Sequence, residues 1–162
     1  MANTYYQNVN GKAEHLVYLD HKAKEFDKIK NNQKTKIIRG AAGRKLPYGR
    51  VFEDEVLYFV ENDGSLQIKA KSIVKSVFNS EPLTPEQSHE IILKEQPYLN
   101  LTDAQIKRWS GKKRLCIVEI KSFEILKDPM IYSRQSNMDD WITVEHIEDV
   151  LEDKTYTSIR IK

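Results

Sequence analysis

Residues 55–78 carry the pattern that most restricts the fold, a pair of strand-like segments joined by a tight turn. The first segment, 55–60 (EVLYFV), is rich in the β-branched and aromatic residues that favour strands. Asn-Asp-Gly-Ser follows at 62–65, and its glycine can supply the positive φ that a hairpin turn needs. Segment 66–78 begins with alternating apolar and polar residues, as on a strand with one buried face. The sequence therefore predicts an antiparallel hairpin, so the fold must contain a sheet.

The segments that precede the hairpin alternate between strand and helix. Segment 15–20 (HLVYLD) predicts a buried strand, and 21–31 predicts a helix in which Ala23, Phe26 and Ile29 recur at a spacing of three residues. Segment 36–39 predicts a second strand. The loop at 40–49 (GAAGRKLPYG) then holds three glycines and one proline, which is typical of an irregular connection.

Two helices with strong start signals follow the hairpin. Thr-Pro-Glu-Gln at 84–87 matches a capping box with proline at the first helical position, and Pro97 is expected to end this helix. The capping pattern returns at 102–105, before a stop at Gly111. Segment 114–125 predicts a strand, 138–151 a helix with Trp141 in the core, and 155–161 a closing strand.

Composition and length place the chain among ordinary folded proteins. Its 162 residues are 40% hydrophobic and 31% charged, which fits a single domain over 1–162, with 1–12 as a flexible tail. No apolar run approaches the roughly 20 residues of a membrane helix, and the first residues do not resemble a secretory signal. The single cysteine, Cys116, can form no internal disulfide. These features predict a cytoplasmic location and no membrane partner.

The charges are unevenly distributed, although the net charge is only +2. Segment 28–50 contains eight basic residues and no acidic one, and the 107–114 cluster is also basic and free of acids. Segment 139–153 carries seven acids and no lysine or arginine. Such a separation attracts a polyanion to one side of the molecule, although a charge run can also serve solubility alone. Within the second cluster, Lys112 and Lys113 are expected at a turn distant from Arg39.

Segment 34–39 (KTKIIR) resembles the "GxKTxExR" motif of the ASCH branch of the PUA-like superfamily, and 53–56 (EDEV) stands where that family has a Gly-Asp pair before a strand. The order of predicted elements is similar to the family over nearly the whole chain. The resemblance implies an α+β fold, a small mixed β-barrel with flanking helices. It also implies a cleft beside the first helix that binds RNA or a modified nucleotide.

The expected ligand is therefore RNA or a nucleotide, held in a basic cleft. Arg39 is expected to contact a phosphate or base edge from the floor, while the loop contributes cations and the aromatic ring of Tyr48. Arginine matches phosphate oxygens with a bidentate fork, and unpaired bases stack on aromatic rings. Trp109 is assigned to the core rather than to the ligand. The predicted nucleic-acid-binding residues are Lys34, Arg39, Arg44, Lys45, Tyr48 and Arg50.

Two other function classes stay open. One branch of the resembled family hydrolyses acetylated cytidine with lysine, threonine and glutamate, so a nucleoside amidohydrolase or a ribonuclease could occupy the same cleft. Ile37 stands in place of that nucleophilic threonine and has no hydroxyl, so no catalytic residue is assigned. The histidines lack metal-ligand spacing and Cys116 lies in an apolar run, so no metal or cofactor is expected. The third class is a protein-interaction domain that uses the acidic helix predicted at 138–151.

Overall fold

The computed structural model describes residues 12–133 and 140–151, which contain one six-stranded mixed sheet. Its order is β2-β5-β4-β3-β1-β6. Neighbouring strands are antiparallel except for β1 and β3, which are parallel. The sheet curves into a half-barrel flanked by helices. The strands are β1 (Glu14–Leu19), β2 (Lys36–Ala41), β3 (Val56–Glu61), β4 (Gln67–Asn79), β5 (Arg114–Ile131) and β6 (Trp141–Val144). The helices are α1 (Glu25–Lys30), α2 (Pro85–Leu99), α3 (Asp103–Trp109) and a 3₁₀ turn at Ile147–Val150.

The predicted hairpin is confirmed as the pair β3 and β4. Val56 faces Ile73 at one end of the pair and Val60 faces Ile68 at the other. Gly64 has a φ of 84° in the connecting turn, a conformation that side chains other than glycine adopt with strain. The hairpin is the structural centre of the sheet, because β4 also pairs along its length with β5.

The core lies on both faces of the sheet. One cluster packs Phe26 and Ile29 of α1 against the strands, with Phe59 and Trp141 fully or almost fully buried. A second cluster packs α2 and α3 against β2 and β5, around the buried Trp109. Burying one large apolar side chain stabilises a fold by about 1.5–3 kcal/mol. Both tryptophans are buried, which confirms the core positions predicted for Trp109 and Trp141.

Both capping boxes are present at the starts of α2 and α3. The hydroxyls of Thr84 and Thr102 accept from the backbone N–H of Gln87 and Gln105, whose side chains bond back to the threonine N–H groups. Helix α2 continues past Pro97 to Leu99, so the predicted end is wrong by two residues. Asn100, in the left-handed region with a φ of 47°, stops it instead.

Two other helix predictions are wrong, the first in its starting residue and the second in its type of secondary structure. Helix α1 begins at Glu25 rather than at 21, because the Asp20 carboxylate accepts from the Ala23 N–H and holds 21–24 as a turn. The helix predicted at 138–151 is replaced, within the described residues, by β6 and the 3₁₀ turn. Three consecutive β-branched residues at 142–144 favour an extended chain. The strand predicted at 155–161 lies outside the described residues, as do all but the last residue of the tail predicted at 1–12. No helix within the described ranges is long and apolar enough to cross a membrane.

Candidate functional site

A cavity of about 310 Å³ opens where β2, the following loop, the end of α3 and the start of β5 meet. Among the described residues, five cationic side chains and one carboxylate line it, together with two aromatic rings. We call it the basic cavity. The lining residues used below are Arg39, Gly40, Lys45, Tyr48, Arg108, Trp109, Lys112, Arg114, Cys116 and Asp140.

Strand pairing brings the two basic segments of the sequence together. In the antiparallel register of β2 and β5, Arg39 faces Cys116 and Ala41 faces Arg114. Gly40 lies between them, and a Cβ added there would approach Leu115 Cδ2 to 2.9 Å and Lys112 Cγ to 3.0 Å. The absence of a side chain at Gly40 therefore leaves room for the residues that precede β5. The expectation that Lys112 lies far from Arg39 is wrong, because both line this cavity, together with Arg108 and Arg114.

Arg39 is almost completely buried, and its guanidinium mainly contacts the protein itself. Nη1 donates to the carbonyl of Ile38 at 2.8 Å, and Nη2 donates to the carbonyl of Tyr18 at 2.6 Å. Its Nε lies 3.1 Å from Asp140 Oδ2, and its carbon lies 5.6 Å from the Trp141 ring centroid. Arg39 thus connects β2 to β1 and to the start of β6, which leaves little of it for a ligand.

Arg114 makes fewer polar contacts with the protein. The Nε of each arginine is buried without a hydrogen-bond partner among the described residues, but the guanidinium of Arg114 also lacks a hydrogen bond from Nη and an ion pair with a described carboxylate. Its guanidinium carbon lies 5.6 Å from the ring centroid of Tyr48. The hydroxyl of Tyr48 donates to the carbonyl of Ser80, which fixes the ring in the cavity wall. Arg114 is therefore a positioned cation with unused donors.

Arg108 and Trp109 form the opposite side of the basic cavity. The Arg108 guanidinium lies 4.4 Å from the Trp109 ring centroid, a cation–π contact that orients it. The Arg108 side chain is 59% exposed, and its Nη2 lies 3.7 Å from Asp140 Oδ2. The exposed planar group on this side is consequently Arg108, while Trp109 supports it from the core.

A buried ion pair lies beside the cavity. Lys34 Nζ donates to the carbonyl of Leu99 at 2.5 Å and lies 3.4 Å from Glu25 Oε2. Burial lowers the pKa of Lys34 to about 8, although the Glu25 carboxylate opposes that shift. Burial alone would raise the pKa of Glu25, but the charges of Lys34 and Arg39 hold it below its ordinary value. Glu25, Arg39, Arg108 and Asp140 also line a smaller adjoining cavity of about 120 Å³.

Of the predicted binding residues, the structure brings Arg39, Lys45 and Tyr48 to the cavity wall. Lys34 is buried in its pair with Glu25, Arg44 is exposed outside the lining, and Arg50 is half-buried outside it. Sequence reasoning missed Arg108, Lys112, Arg114 and Asp140. The first three belong to a basic run without acids, which is visible in the sequence. That this run lies next to Arg39 follows only from the pairing of β2 with β5.

The two candidate nucleophile positions lack reactive groups in this structure. Ile37, which replaces the threonine of the hydrolase branch, is fully buried in the core. Burial raises the pKa of the Cys116 thiol to about 12, so it is protonated at neutral pH even though it lines the cavity. Neither group can attack a carbonyl as it stands.

Comparisons with known proteins bear on the fold. No protein-family model matches the sequence, and no curated protein matches it. Three solved structures of the ASCH protein from Zymomonas mobilis are similar to it. One single-site mutant matches with a TM-score of 0.62 at 9% identity, over 90% of this chain and 95% of that chain. A second mutant gives 0.60 at 11%, over 89% and 96%. A third structure gives 0.54 at 10%, over 73% of each chain. At such identities the likeness concerns the fold. The chain therefore has the α+β, PUA-like fold of ASCH domains, as the motif at 34–39 and the order of elements predict.

Proposed function

We propose that this chain binds RNA or a nucleotide in the basic cavity. The observation that carries the proposal is Arg114, a cavity-lining guanidinium that forms no hydrogen bond or ion pair with any described residue. A guanidinium makes strong, charge-assisted hydrogen bonds to oxyanions, and the described protein offers this one no acceptor. A phosphate group supplies both the missing charge and the missing acceptors.

The neighbouring side chains support the same ligand class. Lys45, Arg108 and Lys112 add positive charge, and Tyr48 offers a flat ring on which an unpaired base can stack. A volume of about 310 Å³ is at the lower end of the range for small-ligand sites. The fold is consistent with the proposal, because the PUA-like resemblance implies RNA or nucleotide ligands. We extend the proposal to residues 1–162 as a single binding domain.

Substitution of one arginine inside the cavity and one outside it tests the proposal. Arg114→Ala should weaken binding to a short single-stranded RNA by about 1–3 kcal/mol, the loss typical of a charge-assisted contact. Arg44→Ala makes the same change in net charge at an exposed position outside the lining. Its effect should be much smaller, because solvent and salt screen exposed charges.

Fluorescence anisotropy of a labelled RNA, at low and at physiological salt, measures both variants. Equal losses for the two arginines would show that only the general field of the protein attracts RNA. Absence of binding to the unmodified chain at low salt would reject the proposal as a whole.

A further inference from the structure

We infer that the basic cavity selects guanine, through Asp140; the inference rests on the function proposed above. Among the described residues that line this cavity, Asp140 is the one carboxylate among five cations. One oxygen of this carboxylate pairs with Arg39, and an acid in the wall opposes the attraction of phosphate. Its other oxygen adds an acceptor to the cavity, and an acceptor suits the donor groups of a base edge.

Asp140 is held in place at two points. Its backbone carbonyl accepts from the Tyr18 N–H at 3.0 Å, which attaches it to β1. Its Oδ2 lies 3.1 Å from Arg39 Nε, and Arg39 is itself fixed by two backbone carbonyls. Its Oδ1 makes no hydrogen bond to any described residue, and the side chain is 35% exposed. A pre-oriented carboxylate with one engaged and one available oxygen faces the ligand space.

The chemistry of base edges decides which base suits this wall. The Watson–Crick edge of guanine presents N1–H and the N2 amino group side by side. Asp140 can accept from both, at the unpartnered Oδ1 and at the second lone pair of Oδ2, which the ion pair with Arg39 leaves unused. The guanine O6 lies beside them as an acceptor, and Arg108 offers donors next to Asp140, with Nη2 3.7 Å from Oδ2. Uracil presents a single N–H between two carbonyl oxygens. A carboxylate repels these oxygens, so uracil should bind most weakly. Adenine and cytosine each present one amino donor beside a ring nitrogen acceptor. Their affinities should therefore lie between those of guanine and uracil.

The experiment compares four RNA pentamers that differ only in their central base: UUGUU, UUAUU, UUCUU and UUUUU. The phosphates are identical, so the ratio of affinities reports the base alone. We expect the unmodified chain to bind UUGUU about tenfold more tightly than UUUUU, as for one well-oriented bidentate contact. In Asp140→Asn the amide donates as well as accepts, so the ratio should fall to within about twofold.

Asp54→Asn is the matched control, because it makes the same chemical change at an exposed position outside the cavity. It should keep the tenfold ratio. If Asp140→Asn tightens binding of all four pentamers equally, Asp140 is only an internal counter-ion and the inference is wrong. If the unmodified chain binds all four pentamers with equal affinity, guanine selection is rejected but the proposed binding of RNA is not. Failure of every pentamer to bind at low salt rejects the proposed function as well.

Discussion

Arg39 and Arg114 show how one residue type takes two roles within a single cavity. Both Nη groups of Arg39 donate to carbonyls of β1 and β2, so its charge supports the sheet. The guanidinium of Arg114 forms no hydrogen bond or ion pair with a described residue, so its charge is available to a ligand. Sequence alone favoured Arg39 as the ligand contact, because it ends the motif at 34–39. Which arginine is satisfied depends on carbonyls that only the folded sheet brings near.

The first prediction separates these two roles. Arg39→Ala should lower the free energy of unfolding by about 2–3 kcal/mol, because it leaves the Tyr18 carbonyl and the Asp140 carboxylate without their cation. Arg114→Ala should change stability by less than about 0.5 kcal/mol. Urea unfolding followed by circular dichroism measures both. A stable Arg39→Ala variant would contradict this account.

A second residue-scale prediction concerns pH. The pKa of Lys34 is lowered to about 8 in the folded chain from an ordinary value of 10.5. Between these pH values the unfolded chain binds more protons at this group, so its contribution to stability rises with pH. Lys34→Met removes that contribution. We expect the stability of the unmodified chain relative to Lys34→Met to grow by at most about 3 kcal/mol from pH 8 to 10.5.

Denaturant titrations at a series of pH values test this prediction. Lys113→Met, at an exposed position, is the control and should show no such growth. A constant difference between the unmodified chain and Lys34→Met across that range would show that Lys34 titrates as an ordinary exposed lysine.

At the scale of elements, β6 is attached to the sheet by a buried polar cluster. Trp141 Nε1 donates to His15 Nδ1 at 3.1 Å, and an indole N–H can only donate, so Nδ1 must accept. The ring proton therefore lies on Nε2, which donates to Glu55 Oε1 at 2.7 Å. The cluster thus joins β6 to β1 and to the residue before β3. Since Asp140 immediately precedes β6, this cluster also positions one wall of the basic cavity.

The third prediction follows from that attachment. His15→Phe leaves the Trp141 N–H and the Glu55 carboxylate without their shared partner, so stability should fall by about 1–3 kcal/mol. The amides of Trp141–Val144 should exchange hydrogen faster relative to those of β4 and β5. His89→Phe, at an exposed histidine, is the control. Unchanged exchange in β6 would mean that backbone pairing alone holds this strand.

Features that depend on residues close together in the sequence are predicted correctly, whereas a feature that depends on long-range pairing is not. The hairpin and both capping boxes depend on residues at most a few positions apart, and all three are confirmed. The helix predicted at 138–151 relied on the apolar spacing of Trp141, Val144, Ile147 and Val150. In the structure that spacing arises from an alternating strand followed by a 3₁₀ turn. Long-range pairing of β6 with β1 prevails over a helical period that the local pattern equally allowed.

At the scale of the whole molecule, the charge distribution and the fold act together. The two basic segments meet in the basic cavity only because β2 and β5 are neighbours in the sheet. Even so, adjacent residues of one basic segment can differ in whether they line the cavity. Lys112 lines the cavity, whereas Lys113 is exposed outside it.

The fourth prediction uses this pair of neighbours, which are equal in type and in charge. The logarithm of RNA affinity should fall linearly with the logarithm of salt concentration, with a slope of about −0.7 for each phosphate contacted in a single strand. Lys112→Ala should reduce that slope by roughly one contact, and Lys113→Ala should leave it nearly unchanged. Anisotropy titrations at four or more salt concentrations give the slopes. Identical slopes for the two variants would place the bound strand outside the cavity.

The position of β6 at the sheet edge, beside β1, has a consequence for synthesis on the ribosome. Translation proceeds from the N-terminus, so β1 is made early and must wait for residues 141–144 before that edge is paired. Among the described residues, the five cations that line the basic cavity likewise precede Asp140 in the chain. Until residues 140–144 are made, the nascent chain carries these cations without the carboxylate of Asp140. The same short segment then completes an edge of the sheet and moderates the charge of the cavity.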